Sequence, residues 1–307
     1  SMTKPIVSTA LMMLFEEGCF DMYEPISTYL PEFKYMMVEI EPGKTVPADR
    51  EITPHDLFTH TSGLSATRSS LEAFSYACLS DHMKDLSEEP LSFQPGTDWN
   101  YDSSHYVLSY LVEALAGDSL IALWQTRIFD PLGMEDTHYW LPPTEEYRRA
   151  ILLRDGMSDP NMKLYYPAVA AQKQTYCTGA TGLHTTAKDY WQFCQMLLNG
   201  GRLNETRLLS PKTVDWMTVN HIGNVNTGAW VPHGNQFGLG MAVVTNSADA
   251  SAPFSPGTYF WGGANGTFFW IDPKEELIGI IMAQVRPYRH LKYISQFEAL
   301  VYASITG

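Results

Sequence analysis

Three short stretches of this 307-residue sequence carry residue types that can do chemistry together. The chain opens Ser1-Met2-Thr3-Lys4. If that tetrad starts a helix, a spacing of three puts a hydroxyl and an amine on one face, about 5–6 Å apart at Cβ. A serine hydroxyl is a poor nucleophile until an adjacent base takes its proton. Lysine can be that base where burial and a helix N-terminus disfavour its charge. Ser1 as nucleophile and Lys4 as base therefore predict acyl transfer. Alone, the tetrad is weak evidence: Ser-x-x-Lys arises often by chance, and a leading Ser-Met can be the remnant of an expression tag. The second stretch is Tyr101-Asp102-Ser103, after the turn Gln94-Pro95-Gly96 and before a helix. A tyrosine there can share a proton with a nearby ammonium. The plainer readings are one tyrosine among 17, and Ser103 or Ser104 as the helix cap. The third is Trp261-Gly262-Gly263-Ala264 in a strand-like region. Paired glycines there let a substrate approach the backbone, or simply make a bulge.

The elements that must position these residues follow from periodicity. Ser1 to Glu17 is expected to be helical, with Ile6, Ala10, Met13 and Leu14 on one face and Gly18 as the stop. Residues 21–50, broken by Pro25, Pro31, Pro42 and Pro47, read as loop. Thr53 reads as a helix cap with Pro54 in the first turn. Helices are expected over 69–89, 103–116 and 119–129, while 139–180 is mixed. Asp189 to Leu198 reads as helix, ending at Gly200-Gly201, and Ser210-Pro211 opens a short one. After about residue 235 the character changes. Phe237 to Val244 and Phe260 to Gln284 are rich in β-branched and aromatic residues, with Asp272-Pro273 and Lys274-Glu275-Glu276 turning a hairpin. Ile294 to Ile305 returns to helix. No repeat, low-complexity segment or linker interrupts this order.

Composition narrows the class. The chain is 45% hydrophobic and 18% charged, as in soluble globular proteins. A formal net charge of −14 repels phosphate backbones and anionic membranes, so nucleic-acid partners are excluded. No 18-residue apolar run is present, so no membrane insertion is expected. Cys19, Cys78, Cys177 and Cys194 lack metal-ligand spacing. Cys19 and Cys194 sit in apolar runs and are expected buried and reduced. His184 and His233 are not at ligand spacing with a Cys or a second His, and the basic residues read as scattered solvated positions. No metal or organic cofactor is expected.

The segments SMTKPI, LFTHTSGL (57–64), FQPGTDWNYDSS (93–104), TGLHTTAKDYWQF (181–193), FGLGM (237–241) and WGGANGTFFWIDP (261–273) together resemble a known group. It comprises class C β-lactamases, D-alanyl-D-alanine peptidases and family VIII esterases. The resemblance spans nearly the whole chain, and six matches in order argue against both coincidence and a tag. It implies an α+β fold with an antiparallel sheet flanked by helices, a mainly helical lobe, and the active site between them. The organisation expected is a single 1–307 domain, with a helical lobe over 20–180 and a sheet lobe with closing helix over 181–307. It implies Ser1 as nucleophile, Lys4 as base and Tyr101 as proton relay, with Ser1 and Ala264 backbone nitrogens as oxyanion hole. Ser103, Trp261, Gly262 and Gly263 fall at the substrate-binding positions. His60 is expected to be a hydrogen-bonded structural residue, and Asp189 a first-turn or buried partner.

Two departures set the expected substrate. The group's asparagine after the tyrosine is Ser103, and the lysine of its Lys-Thr-Gly strand is Trp261. The amide and the cation that grip a β-lactam or peptide are both missing. The Trp-Gly-Gly version is similar to that of family VIII esterases and related acyltransferases, and favours small neutral acyl substrates. The alternatives are a β-lactamase or D-amino-acid peptidase, with Arg286 or Arg289 supplying the cation, and a catalytically idle binding or scaffold relative. An N-terminal nucleophile hydrolase using its own α-amine is disfavoured by the helix opening. The resemblance also implies strands before the nucleophile helix, so a natural polypeptide extending N-terminally is expected. Oligomeric state is open, and of compartments the cytoplasm is slightly favoured.

Overall fold

A computed structural model describes residues 1–65, 76–101, 103–154, 157–158, 176–228, 230–232 and 234–306. Its centre is helix α1, Lys4–Glu16, in which every residue from Lys4 to Leu14 is buried. A helix apolar on all sides has nowhere to go but the core. It begins at Lys4 rather than Ser1, with Pro5 in its first turn. Ser1 lies in the preceding turn, where its carbonyl accepts from the Lys4 N–H at 3.1 Å.

Segment 21–50 departs from the expected loop. It holds a hairpin of β1, Met37–Glu41, and β2, Lys44–Pro47, with Val38 opposite Val46. Of β1 only Val38 is buried, so the sequence showed no apolar run to set against four prolines. Cys19 also departs from expectation: it lies beyond the end of α1 and is exposed, whereas Cys194 is buried. Helix α2, Pro54–Thr59, is closed by the expected cap. Thr53 Oγ1 accepts from Asp56 N, and the Asp56 carboxylate accepts from Thr53 N at 2.9 Å. This is a reciprocal box that satisfies two otherwise orphaned donors. Arg50 grips the same carboxylate through two nitrogens, at 2.6 and 2.7 Å.

Helix α3 runs Leu79–Glu88; the first part of the helix expected over 69–89 lies largely outside the described residues. Helix α4, Ser104–Ala116, packs along α1 and α2. The serine cap expected for it is not made. Ser103 Oγ donates to Ser65 O at 2.8 Å, and Ser104 Oγ pairs with Ser62 Oγ at 2.9 Å. Helix α5, Leu120–Trp124, continues through a π turn at Gln125–Phe129 to Leu132, past the expected end at 129.

Helix α6, Ala187–Leu198, is capped by Thr186, and α7, Pro211–Met217, by Ser210. Asp189 is buried in the first turn of α6 and accepts from Asp136 N and Thr137 Oγ1. Five strands then form an antiparallel meander: β3 Asn235–Phe237, β4 Ala242–Val244, β5 Tyr259–Gly262, β6 Thr267–Asp272 and β7 Leu277–Met282. Trp261 stands opposite Phe269, and Phe260 opposite Trp270. Because side chains alternate, each pair takes one face. Phe269 meets Tyr190 of α6 at 5.1 Å, so Trp261 faces α6 and α1. Trp270 meets Phe297 of α8, Tyr293–Ala303, at 5.8 Å, so α8 covers the other face. The result is the expected α+β arrangement, a sheet between helices. No single described helix is long and apolar enough to cross a membrane.

Candidate active site

The turn that carries Ser1 is fixed from α6. Tyr190 Oη donates to the Met2 carbonyl at 2.9 Å, and Leu183 N donates to Thr3 Oγ1 at 3.4 Å. Lys4, only 4% exposed, then projects beneath Ser1. Its Nζ donates to Ser1 Oγ at 3.3 Å and to the Ala180 carbonyl at 2.7 Å. Hydroxyl and amine thus meet as the tetrad spacing requires. Ala180 had no signal in the sequence, because a backbone carbonyl is available at every residue.

Tyr101 comes to the same place by a different contact. Lys4 Nζ lies 4.7 Å from the Tyr101 ring centroid, over its face. The Tyr101 hydroxyl is buried and makes no hydrogen bond to the described residues. The relay hydrogen bond expected from resemblance is therefore not among those Tyr101 makes to the described residues. Beneath Tyr101 lie His60, at 4.9 Å between ring centroids, and His105, 4.8 Å from His60. Burial, the neighbouring His60 and the Lys4 charge hold His105 well below the usual imidazole range, so it is neutral. His60 is fully buried within this aromatic layer, in keeping with a structural role.

The opposite wall is the end of β5. Trp261 is 6% exposed and packs on Tyr101 at 5.4 Å and on Phe237 at 5.2 Å. Its Nε1 has no hydrogen-bond partner among the described residues. Gly263 N donates to Thr267 O at 2.8 Å, while the Ser1 nitrogen and Ala264 N–H donate to no protein acceptor among the described residues. A Cβ added at Gly263 would collide with Thr267 Oγ1 and stand 3.6 Å from the Ser1 nitrogen. Glycine is required there by the Thr267 hydroxyl, whereas the approach to the Ser1 nitrogen would be ordinary contact. Ser1 and Ala264 both line the cavity at this point.

Ser1, Lys4, Tyr101, Ser103, Trp261, Gly262, Gly263 and Ala264 all line one cavity of about 1230 Å³. Ser103 lines it with its one hydroxyl proton already given to Ser65 O, leaving only acceptor capacity. Two features of the wall were not legible. Trp230, 52% exposed, stacks on Tyr101 at 4.8 Å and carries the Arg289 guanidinium 5.8 Å from its centroid. An exposed tryptophan in a Gly- and Pro-bounded loop was the only available signal. The basic residues, expected to be scattered, gather here: Arg148, Arg149, Arg286, Arg289 and Lys292 line the cavity of an otherwise acidic protein. Arg148 is neutralised by Asp136 and Glu145, and Arg149 by Glu146. Asp102 and His233 lie outside the described residues. His184 pairs with His138 through backbone bonds, and among the described residues no His, Cys, Asp or Glu cluster could hold a metal.

Comparison with known proteins agrees with this architecture. The sequence model described as Beta-lactamase matches residues 1–302. An uncharacterised protein of Mycobacterium tuberculosis is 31% identical over 94% of this chain and 77% of its own length. Esterase EstB of Burkholderia gladioli is 27% identical over 89% of this chain and 73% of its own. Among solved structures, simvastatin synthase (LovD) from Aspergillus terreus superposes with a TM-score of 0.80 at 25% identity, covering 100% of this chain and 83% of that one. EstCE1, a hydrolase with promiscuous acyltransferase activity, shares the fold at a TM-score of 0.82 and 22% identity, covering 98% and 83%.

Proposed function

This chain belongs to the beta-lactamase family, and from that premise we propose that it is an esterase or acyltransferase acting on small neutral acyl substrates through an acyl-Ser1 intermediate. The observation that carries the reading is the Lys4 Nζ to Ser1 Oγ contact of 3.3 Å at the wall of the cavity, facing an indole instead of a cation. Lys4, in its amine form, takes the Ser1 proton as Oγ attacks the acyl carbon. The carbonyl oxygen becomes an oxyanion between the Ser1 nitrogen and Ala264 N–H. Tyr101, against Lys4, carries the proton on to the leaving alkoxide, and the C–O bond breaks to leave acyl-serine and a free alcohol. Water or an acceptor alcohol then attacks the acyl carbon and gives up its proton by the reverse route, restoring Ser1.

Exposed Arg286 and Arg289 at the cavity favour a second reading, in which one of them binds a substrate carboxylate and the enzyme is a β-lactamase or D-amino-acid peptidase. The test of the family of readings is Ser1→Ala. Fluorophosphonate labelling should vanish, and p-nitrophenyl butyrate turnover should fall by several powers of ten, as when other acyl-enzyme nucleophiles are removed. Retention of most turnover by a folded Ser1→Ala protein would overturn the assignment. A folded wild type that neither labels nor turns over esters would make the chain a binding or scaffold relative instead.

A further inference from the structure

The segment that presents the Ala180 carbonyl to Lys4 is held by buried hydrogen bonds from the N–H groups of residues 178–180. Ser109 of α4 donates its hydroxyl proton to the His105 carbonyl, the ordinary back-bond of a helical serine. Its oxygen then accepts from Gly179 N at 2.6 Å. Thr178 Oγ1 lies 3.4 Å from the same oxygen and accepts from Ala180 N at 3.1 Å. Thr178 N donates to Tyr139 Oη at 3.2 Å. A hydroxyl has one proton and two acceptor sites. Ser109 has spent its proton on His105, so the proton between the two hydroxyls belongs to Thr178. Ser109 is then filled by Gly179 N and Thr178, and the direction of every bond is fixed.

The packing allows no slack either. Ser109, Thr178 and His105 are fully buried. A Cβ added at Gly179 would collide with the Val7 side chain, so the 178–180 backbone lies directly on α1 one turn after Lys4. Both N–H groups of the Gly179–Ala180 unit are taken, and the Ala180 carbonyl is left aimed at Lys4 Nζ. An amine that accepts the Ser1 proton must point its lone pair at Oγ, and its N–H bond to Ala180 O sets that rotation. We infer that Ser109 and Thr178 are positioning residues for the acylation step, acting through the Ala180 carbonyl on the orientation of Lys4. The inference rests on the reading of Lys4 as the base of Ser1. Neither residue lines the cavity, so neither meets substrate.

The experiment removes one hydroxyl at a time in the full chain: Ser109→Ala, Thr178→Val, and Thr178→Ser as the conservative control. The rate constant of fluorophosphonate labelling, kcat and KM for p-nitrophenyl butyrate, and Tm are measured on each. Labelling rate and kcat should fall about tenfold, the size expected when a reacting group is left slightly misaligned. KM should stay within roughly twofold, because uniform binding is untouched. Thr178→Ser should restore the rates. Wild-type labelling by a folded Ser109→Ala or Thr178→Val protein would overturn the inference. So would a loss in Thr178→Val that Thr178→Ser does not restore, or one that appears as a rise in KM. If Ser109→Ala fails to fold, the Thr178 pair decides alone. Ser1→Ala measured alongside separates the two levels. If Ser1→Ala still labels, the reading of the site falls. If Ser1→Ala is dead while the hydroxyl variants match wild type, only this inference falls.

Discussion

Replacing Trp261 by lysine tests why this pocket should refuse carboxylates. A β-lactam or peptide substrate brings a carboxylate beside the scissile bond, and burying that charge without a partner costs several kcal/mol. Trp261 offers one indole N–H and an apolar face packed between Tyr101 and Phe237. The wild type should therefore turn over p-nitrophenyl butyrate with a kcat/KM well above that for nitrocefin. Trp261→Lys supplies a cation. A charge-assisted hydrogen bond of ~1.5–3 kcal/mol should shift the nitrocefin-to-butyrate ratio by about 10- to 150-fold. The cost is also readable. Deleting a buried tryptophan to alanine loses ~3–5 kcal/mol, and the lysine stem recovers part of it by packing its methylenes. A net loss of about 2–3 kcal/mol lowers Tm by roughly 3–5 °C in a chain of this size. Ester turnover should fall too, since the apolar wall that Trp261 forms beside Tyr101 and Phe237 is lost. The assay is steady-state kinetics on both substrates with a thermal melt of each protein. Two results would refute the reasoning: a wild type that hydrolyses nitrocefin faster than the ester, or a folded variant whose ratio does not move. The latter would shift the carboxylate site to Arg286 or Arg289.

The cap of α2 should be measurable by itself: Thr53→Ala breaks the box with Asp56 and should cost ~1–2 kcal/mol, seen as a lowered urea midpoint with ester kinetics unchanged. Glu298 is buried with no charged neighbour, and burial pushes its carboxyl up to about 7. Its folded value lies above its unfolded one, so its stabilising effect is complete below about 4.5 and lost as pH rises through about 7. Glu298→Gln should thus raise Tm at pH 8 by an amount on the order of 2 kcal/mol in stability and leave Tm at pH 4 nearly unchanged. His55 runs the other way. Burial and the neighbouring His221, 3.3 Å away, bring it down to about 4. The stability it contributes is present above about 6.5 and lost as pH falls toward 4, so a His55→Gln protein should show a shallower acid slope in Tm.

Much of the site was legible because its residues are neighbours in sequence or sit at element ends. Ser1 and Lys4 meet because the turn before α1 folds back over three residues, and Trp261 and Gly263 lie at one strand end. The caps at Thr53 and Ser210 were equally local, since a side chain there satisfies N–H groups two or three residues on. The hairpin at Met37–Pro47 was not legible, because an almost wholly exposed strand leaves no alternating apolar pattern. Cys19 was misread for a related reason: it follows the apolar helix in sequence but lies beyond its end, where burial stops.

What the sequence determined by itself was the family and most of the order of elements, for both are written in residue type and short spacing. What only the tertiary structure decided was everything carried by atoms that every residue shares or by residues far apart in the chain. The Ala180 carbonyl reaches Lys4 across 176 residues, and the hydroxyls of Ser109 and Thr178 meet across 69. Arg148, Arg149, Arg286, Arg289 and Lys292 come to one cavity only when two distant segments face each other. Backbone hydrogen bonds carry no residue signature, and loop closure is decided by the packing of the whole chain.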